Sequence, residues 1–143
     1  MQIGVETAKA VDQRRVFVID EDEITRAALQ FMLHDEIETH ELATPEEAYE
    51  KGVEWLTPHV VMLGVSFLQQ RGPELVREIL AKFPGVRVLI VTTKAEEAVA
   101  IEGLKAGAHG AVIKPLTIEA VRKKVDTILG RAGGATLVQL GGF

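Results

Sequence analysis

The chain has no cysteine among its 143 residues. Disulfides, thiolate metal sites and thiol nucleophiles are therefore all excluded. No apolar run approaches the length needed to span a bilayer. The opening Met1-Gln2-Ile3-Gly4-Val5-Glu6 has neither the basic start nor the apolar core of a signal peptide, which points to a cytoplasmic protein. There is no excess of positive charge either. The net charge is -5 and the pI near 5.4, which argues against direct nucleic-acid binding through phosphate neutralisation. Hydrophobic residues nevertheless make up 47% of the chain and charged residues 26%, a balance that supports one folded domain with a full core.

The stretch that organises the rest is His59-Val60-Val61-Met62-Leu63-Gly64-Val65-Ser66. It is short and apolar, and it is bounded by Thr57-Pro58 and Gly72-Pro73. Such a run reads as a strand buried on both faces of a parallel sheet. Arg15–Ile19 and Arg87–Thr92 read as further strands, as does 110–114, while the more polar Ile37–Leu42 suits a sheet edge.

Between the strands lie helical patterns at about 22–34, 45–56, 73–83, 93–106 and 117–129. Their start signals are explicit: Thr44-Pro45 with Glu47, Thr93 with Glu96, and Thr117. Five strands alternating with five helices imply an α/β sandwich on a parallel sheet. Residues 1–13 read as an N-terminal tail, 14–131 as the folded domain, and 132–143 as a Gly-rich tail or linker. Within that last segment Leu137–Leu140 is too short to fold alone.

In a parallel sheet the carboxyl ends of all strands share one rim, where ligands collect. That rim would carry Asp20 and Glu21 after the first strand, Gly64 on the third, Thr92 on the fourth and Lys114 on the fifth. Paired carboxylates suit magnesium, and a hydroxyl with an ammonium suits a phosphoryl group. Equally, the acids suit a helix N-terminus, with Lys114 simply pairing with them.

These residues resemble the receiver domains of response regulators. Ile19-Asp20-Glu21 is similar to their acidic pair and Val91-Thr92 to their strand-four hydroxyl. Ala106-Gly107-Ala108-His109-Gly110-Ala111, running into Val112-Ile113-Lys114-Pro115, is similar to their strand-five signature. The resemblance covers residues 14–131. It implies a flavodoxin-like (βα)5 three-layer sandwich, strand order 2-1-3-4-5, and a cis Pro115. It also implies a phosphoryl cycle in which an Asp at the end of strand three is the acceptor and, with the acidic pair, holds magnesium. Here that position is Gly64, which can neither accept a phosphoryl group nor ligate metal. The aromatic switch position of strand five is Ala111; the one tyrosine, Tyr49, lies in the second helix.

The first reading is therefore a pseudo-receiver, a non-enzymatic signalling module that acts by phosphorylation-independent protein contact. It would dock through the face of the helix at 93–106, the fifth strand and the last helix, with Lys105, His109, Arg122 and Lys123 on or near it; a homodimer is one form of such docking. No cofactor is expected beyond weak magnesium at Asp20 and Glu21, and no membrane contact. Asp20 and Lys114 would pair across the vacated site. The rival is a phosphorylatable receiver with a displaced acceptor, Asp20, Asp22 or Ser66, and magnesium. Glu21 is a further loop acid in reach, and Ser66 has no adjacent base. A third reading is a flavodoxin-like domain binding flavin or another nucleotide. His34, His40, His59 and His109 share no metal-ligand spacing and read as surface or loop residues. Arg122-Lys123-Lys124 reads as a solvated helix face.

Overall fold

Alternation along the strands decides the architecture. In β1 (Asp12–Ile19) Val16 and Val18 point to one side of the sheet, Phe17 and Ile19 to the other, and all four are fully buried. A strand apolar on both faces must be covered on both faces. The computed structural model describes residues 12–131 and shows that arrangement. Five parallel strands lie in the order β2-β1-β3-β4-β5, with β2 Ile37–Leu42, β3 Val60–Gly64, β4 Arg87–Thr92 and β5 Gly110–Ile113. This is the flavodoxin-like order, and the polar β2 is indeed at an edge.

Helices α1 (Glu23–Leu33) and α6 (Ile118–Leu129) cover one face through Leu29, Leu33, Val121 and Val125, which pack with Val16, Val18, Met62 and Leu89. The other face is covered by α2 (Pro45–Lys51), α3 (Val65–Arg71), α4 (Glu74–Lys82) and α5 (Glu97–Lys105). There Phe67, Leu68, Leu75, Val76, Ile79 and Ala100 meet Phe17, Leu63, Val88 and Ile90. No helix among the described residues is long and apolar enough to cross a membrane.

The anticipated start signals are largely realised. Asp22, Thr44 and Thr117 each accept a backbone N–H two or three residues on, from Ile24, Glu47 and Ala120, satisfying amides that the first helical turn leaves free. The Lys114–Pro115 bond is cis.

Four local expectations change. The strand read as reaching Ser66 stops at Gly64, and a helix follows without a connecting residue. Val65, Phe67 and Leu68 are buried by that helix, and Gly72 ends it at φ 85°. The helix read over 45–56 ends at Lys51 with Gly52 as its cap, where a side chain would strike the Phe83 ring at 2.6 Å; a 3-10 turn, Glu54–Leu56, follows. The first strand begins at Asp12, inside the segment read as tail, with an irregular register between Asp12 and Arg15. Thr93 does not cap the backbone of the helix after it: its hydroxyl bonds the Glu96 carboxylate at 2.9 Å, and α5 proper starts at Glu97. His59 and His109, read as surface or loop residues, lie just before β3 and β5, where each ring bonds the neighbouring strand. Residues 1–11 and 132–143, which hold most of the first tail and all of the second with its Leu137–Leu140 stretch, lie outside the described residues.

Close packing of α5 on β4 depends on Gly103, where a methyl group would lie 2.5 Å from Ile90 Cδ1 and 2.9 Å from Leu68 Cδ1. Gly103→Ala should destabilise the domain by about 1–2 kcal/mol, because overpacking outweighs the gain in helix propensity. Ile90→Val removes the nearer methyl and should recover part of that loss in the double variant. Urea unfolding of the four-member cycle checks the coupling.

Candidate functional site at the carboxyl rim

The parallel sheet brings Asp20, Glu21, Thr92 and Lys114 to one cleft of about 280 Å³. Asp22, Ser66, Thr93 and Glu96 complete its polar lining. Gly64 lies beneath, at the junction of β3 and α3. Pro115 is exposed beside the cleft. Ala111 is half-buried away from it, packed against the apolar cluster that covers the α2–α5 face.

The central feature is where Asp20 places its carboxylate. Asp20 directly follows the buried Ile19 and is itself only 5% exposed. Its Oδ1 accepts the Asp22 backbone N–H at 2.9 Å, which fixes the side chain over the start of α1. A Cβ on residue 64 would lie 2.5 Å from Asp20 Oδ2 and 2.7 Å from its Cγ. The space that a side chain at 64 would enter is thus taken by the Asp20 carboxylate. Burial raises the Asp20 pKa from its ordinary 3.8; the Asp22 amide and the Lys114 charge offset part of that.

The anticipated Asp20–Lys114 ion pair does not form. Lys114 Nζ donates to Thr25 Oγ1 at 3.0 Å, and Thr25 Oγ1 donates to Asp22 Oδ2 at 2.6 Å. Thr25, buried at 5% exposure, was not singled out in the sequence. The available signal was a hydroxyl three residues after the Asp22 cap, within reach of the cap's second oxygen. That bond lowers the Asp22 pKa. Thr92, the fourth-strand hydroxyl, is buried and donates to the Thr93 carbonyl at 3.0 Å, along its own chain.

Helix α3 supplies a second group that sequence reading missed. Three successive side chains bind acids from three different elements. Gln69 Nε2 donates to Glu96 at 3.3 Å. Gln70 Nε2 donates to both Glu21 oxygens at 3.1 and 3.2 Å. Arg71 forms a two-pronged pair with Glu46, both contacts 2.7 Å. The Arg71 guanidinium holds the Glu46 carboxyl down at about 2.

Magnesium needs several oxygen ligands converging at short range. Glu21 is turned to Gln70, Asp20 lies over Gly64, and residue 64 offers no ligand. Among the described residues no group of three or more His, Asp or Glu is placed to hold a metal ion. This donor set does not fit a resident magnesium.

Fold, strand order and rim define a receiver domain of the two-component signalling type. The chain belongs to the response regulator receiver domain family, whose model matches residues 16–126. It is 30% identical over 126 residues to the transcriptional regulatory protein LnrK of Bacillus subtilis, covering 86% of this chain and 56% of that protein. It is 27% identical to the transcriptional regulatory protein SrrA of Staphylococcus aureus, covering 87% and 51%. The chain thus spans about half the length of these curated relatives. Its fold is similar to the crystal structure of a Thermotoga maritima response regulator, with TM-score 0.71, 24% identity and coverage of 83% and 99%.

Because the folded chain binds the Asp20 proton more tightly than the unfolded chain, burial of the charge weakens the fold most at neutral pH. That penalty shrinks as pH falls through the raised pKa towards the ordinary value. Asp20→Asn, which keeps an oxygen for the Asp22 amide, should raise the urea midpoint at neutral pH. The gain should fade towards about pH 4. Unfolding curves of both proteins across that range check it.

Proposed function

We propose that this domain is a pseudo-receiver, signalling through protein contacts without passing a phosphoryl group. The observation that carries the reading is the Asp20 carboxylate seated over Gly64. The acceptor position has no side chain, and its space is filled by a group that is itself buried. Ala111 supports the same reading, since an alanine has no rotamer with which to gate a cleft. The reading includes no resident cofactor, with magnesium held weakly at most by Asp20 and Glu21; the Gln70–Glu21 bonds support this. Flavin or nucleotide binding is disfavoured by the cleft's four carboxylates, Asp20, Glu21, Asp22 and Glu96, facing one ammonium.

The contact surface in this reading is β5 with the helices on either side of it. Ile101 and Leu104 of α5, Ile113 of β5 and Ile118 of α6 are 44%, 37%, 43% and 38% exposed. Apolar side chains exposed on these elements suit protein docking, by a partner or a second copy. Lys105 and Lys123 are exposed and suit its rim. Arg122 does not: it donates to the Met32 carbonyl and pairs with Asp35 and Glu36, tying α6 to the end of α1. His109 instead serves the amino end of β5.

One observation favours a second reading. Asp20 puts a carboxylate into the space a side chain at 64 would enter, so a displaced aspartyl phosphate would form there if anywhere. Asp22 is engaged as a cap and by Thr25. Ser66 lines the cleft, but no base in the sequence adjoins it.

Intact mass after incubation with magnesium and a small acyl phosphate distinguishes the two. The native chain should gain no phosphate; a phosphate mapped to Asp20 would overturn the pseudo-receiver reading in favour of the second. Gly64→Asp should gain one only when Asp20→Ala vacates the space. For the surface, Leu104→Asp/Ile113→Asp should leave stability within about 0.5 kcal/mol of native, as exposed substitutions do. It should also abolish capture of partners by the immobilised domain. Undiminished capture would refute the face.

A further inference from the structure

At the opposite, amino-terminal rim of the sheet two histidines do the same thing in two places. His59 precedes β3 and His109 precedes β5. The backbone N–H of His59 donates to the Arg15 carbonyl at 2.9 Å, and the Arg15 N–H donates back to His59 Nδ1 at 3.1 Å. The backbone N–H of His109 donates to the Val88 carbonyl at 2.8 Å, and the Val88 N–H donates back to His109 Nδ1 at 3.0 Å. Each imidazole thus completes the first rung between neighbouring parallel strands, β1 with β3 and β4 with β5. The His59 carbonyl also accepts the Arg87 N–H at 3.0 Å, so this residue joins three strands.

A ring nitrogen can accept a backbone N–H only while it carries no proton. Both rings must therefore be neutral, with the proton on Nε2. Protonation puts a second hydrogen against the amide's own, and the rung is lost.

We propose that His59 and His109 form a pair of pH-sensitive clasps that release the amino-terminal rim of the sheet on mild acidification. This rim is where the described chain enters β1 at Asp12 and leaves α6 at Arg131, whose guanidinium bonds Asp12 at 3.1 Å. It also bears Trp55, 78% exposed in the turn before His59. That turn is held in part by Arg15 Nη1 on the Thr57 carbonyl at 3.1 Å. Release of the His59 ring frees the strand start and leaves the turn on that guanidinium contact. The proposal rests on different residues from the acceptor-site reading and stands whether or not that reading holds.

The charges around the rings favour the neutral state. Arg14 and Arg15 of β1 face His59, opposed by Asp12 of β1 and Glu38 of β2; Arg87 of β4 faces His109. Burial is the larger influence in each case, and both rings are pushed below the ordinary 6.5. A histidine that binds its proton less readily when folded contributes fully above 6.5, and its contribution falls as pH drops below that value. His59 is half-buried and His109 exposed, so the His59 clasp should be the stronger.

Nitrogen-resolved NMR and amide exchange on the full chain test this. At about pH 7.5 both rings should be the neutral form with the proton on Nε2, and both should titrate below the free-histidine value. Protection of the Arg15 and Val88 amides, corrected for intrinsic exchange, should fall by up to about tenfold per pH unit once the rings protonate on opening. The mid-strand amides of Val61 and Leu89 should hold. His59→Asn/His109→Asn replaces each acceptor with one that does not titrate and should flatten the response. If that variant fails to fold, the native chain alone decides. Equal protection at about pH 7.5 and about pH 5, a neutral ring with its proton on Nδ1, or mid-strand amides falling in parallel would each overturn the proposal.

Discussion

A carboxylate taken out of water needs hydrogen bonds and needs room. Asp20 finds one bond in the Asp22 amide and finds its room above a residue with no side chain. The geometry of the carboxyl rim follows from that fit. With Asp20 turned over Gly64, Lys114 takes the Thr25 hydroxyl as its partner, and Thr25 passes the contact on to Asp22. Glu21 faces outward to Gln70. Charges that would otherwise converge on one point are dispersed over α1, α3 and β5.

Helix α3 fixes the arrangement from outside. It grows from Gly64 without an intervening loop, so any displacement of the end of β3 is passed to the helix. Its last side chains are tied to Glu96, Glu21 and Glu46, which lie on different elements. Exposed pairs of this kind add little stability one by one. Their effect here is geometric, since they set how far α3 can swing across the cleft. Apolar anchoring by Phe67 and Leu68 gives the helix its hold on the core.

The sheet is legible in the sequence because its central strands are apolar on both faces. That pattern leaves few alternatives once helix caps at Asp22, Thr44 and Thr117 punctuate it. Strand order came from the resemblance, and the edge position of β2 from its polarity. Helix α3 was not legible. Val65-Ser66 continues an apolar run that reads equally as strand, and seven residues are too few for helical periodicity to declare itself. The need for glycine at 52 comes from Phe83, thirty-one positions away, which no local pattern reveals. At the site, the residues at strand ends were all legible and their partners were not. Lys114 and Asp20 are neighbours by position, yet the hydrogen-bond direction is settled by Thr25, a residue whose spacing marks it only as part of a helix start. The clasps of His59 and His109 were hidden for a related reason: ring nitrogens that complete a strand ladder leave no spacing signature.

Gly64 and Asp20 also constrain one another as positions in a sequence. A bulkier residue at 64 meets a carboxylate that is already seated, and a smaller residue at 20 leaves an unfilled hollow above the glycine. Each identity is favourable in the presence of the other and awkward without it. Between this chain and one with a larger residue at 64, the order of exchange therefore matters. A shortened or relocated side chain at 20 must come first, through an intermediate with a void in its rim. Two sites far apart in the chain are in this way coupled through one shared space.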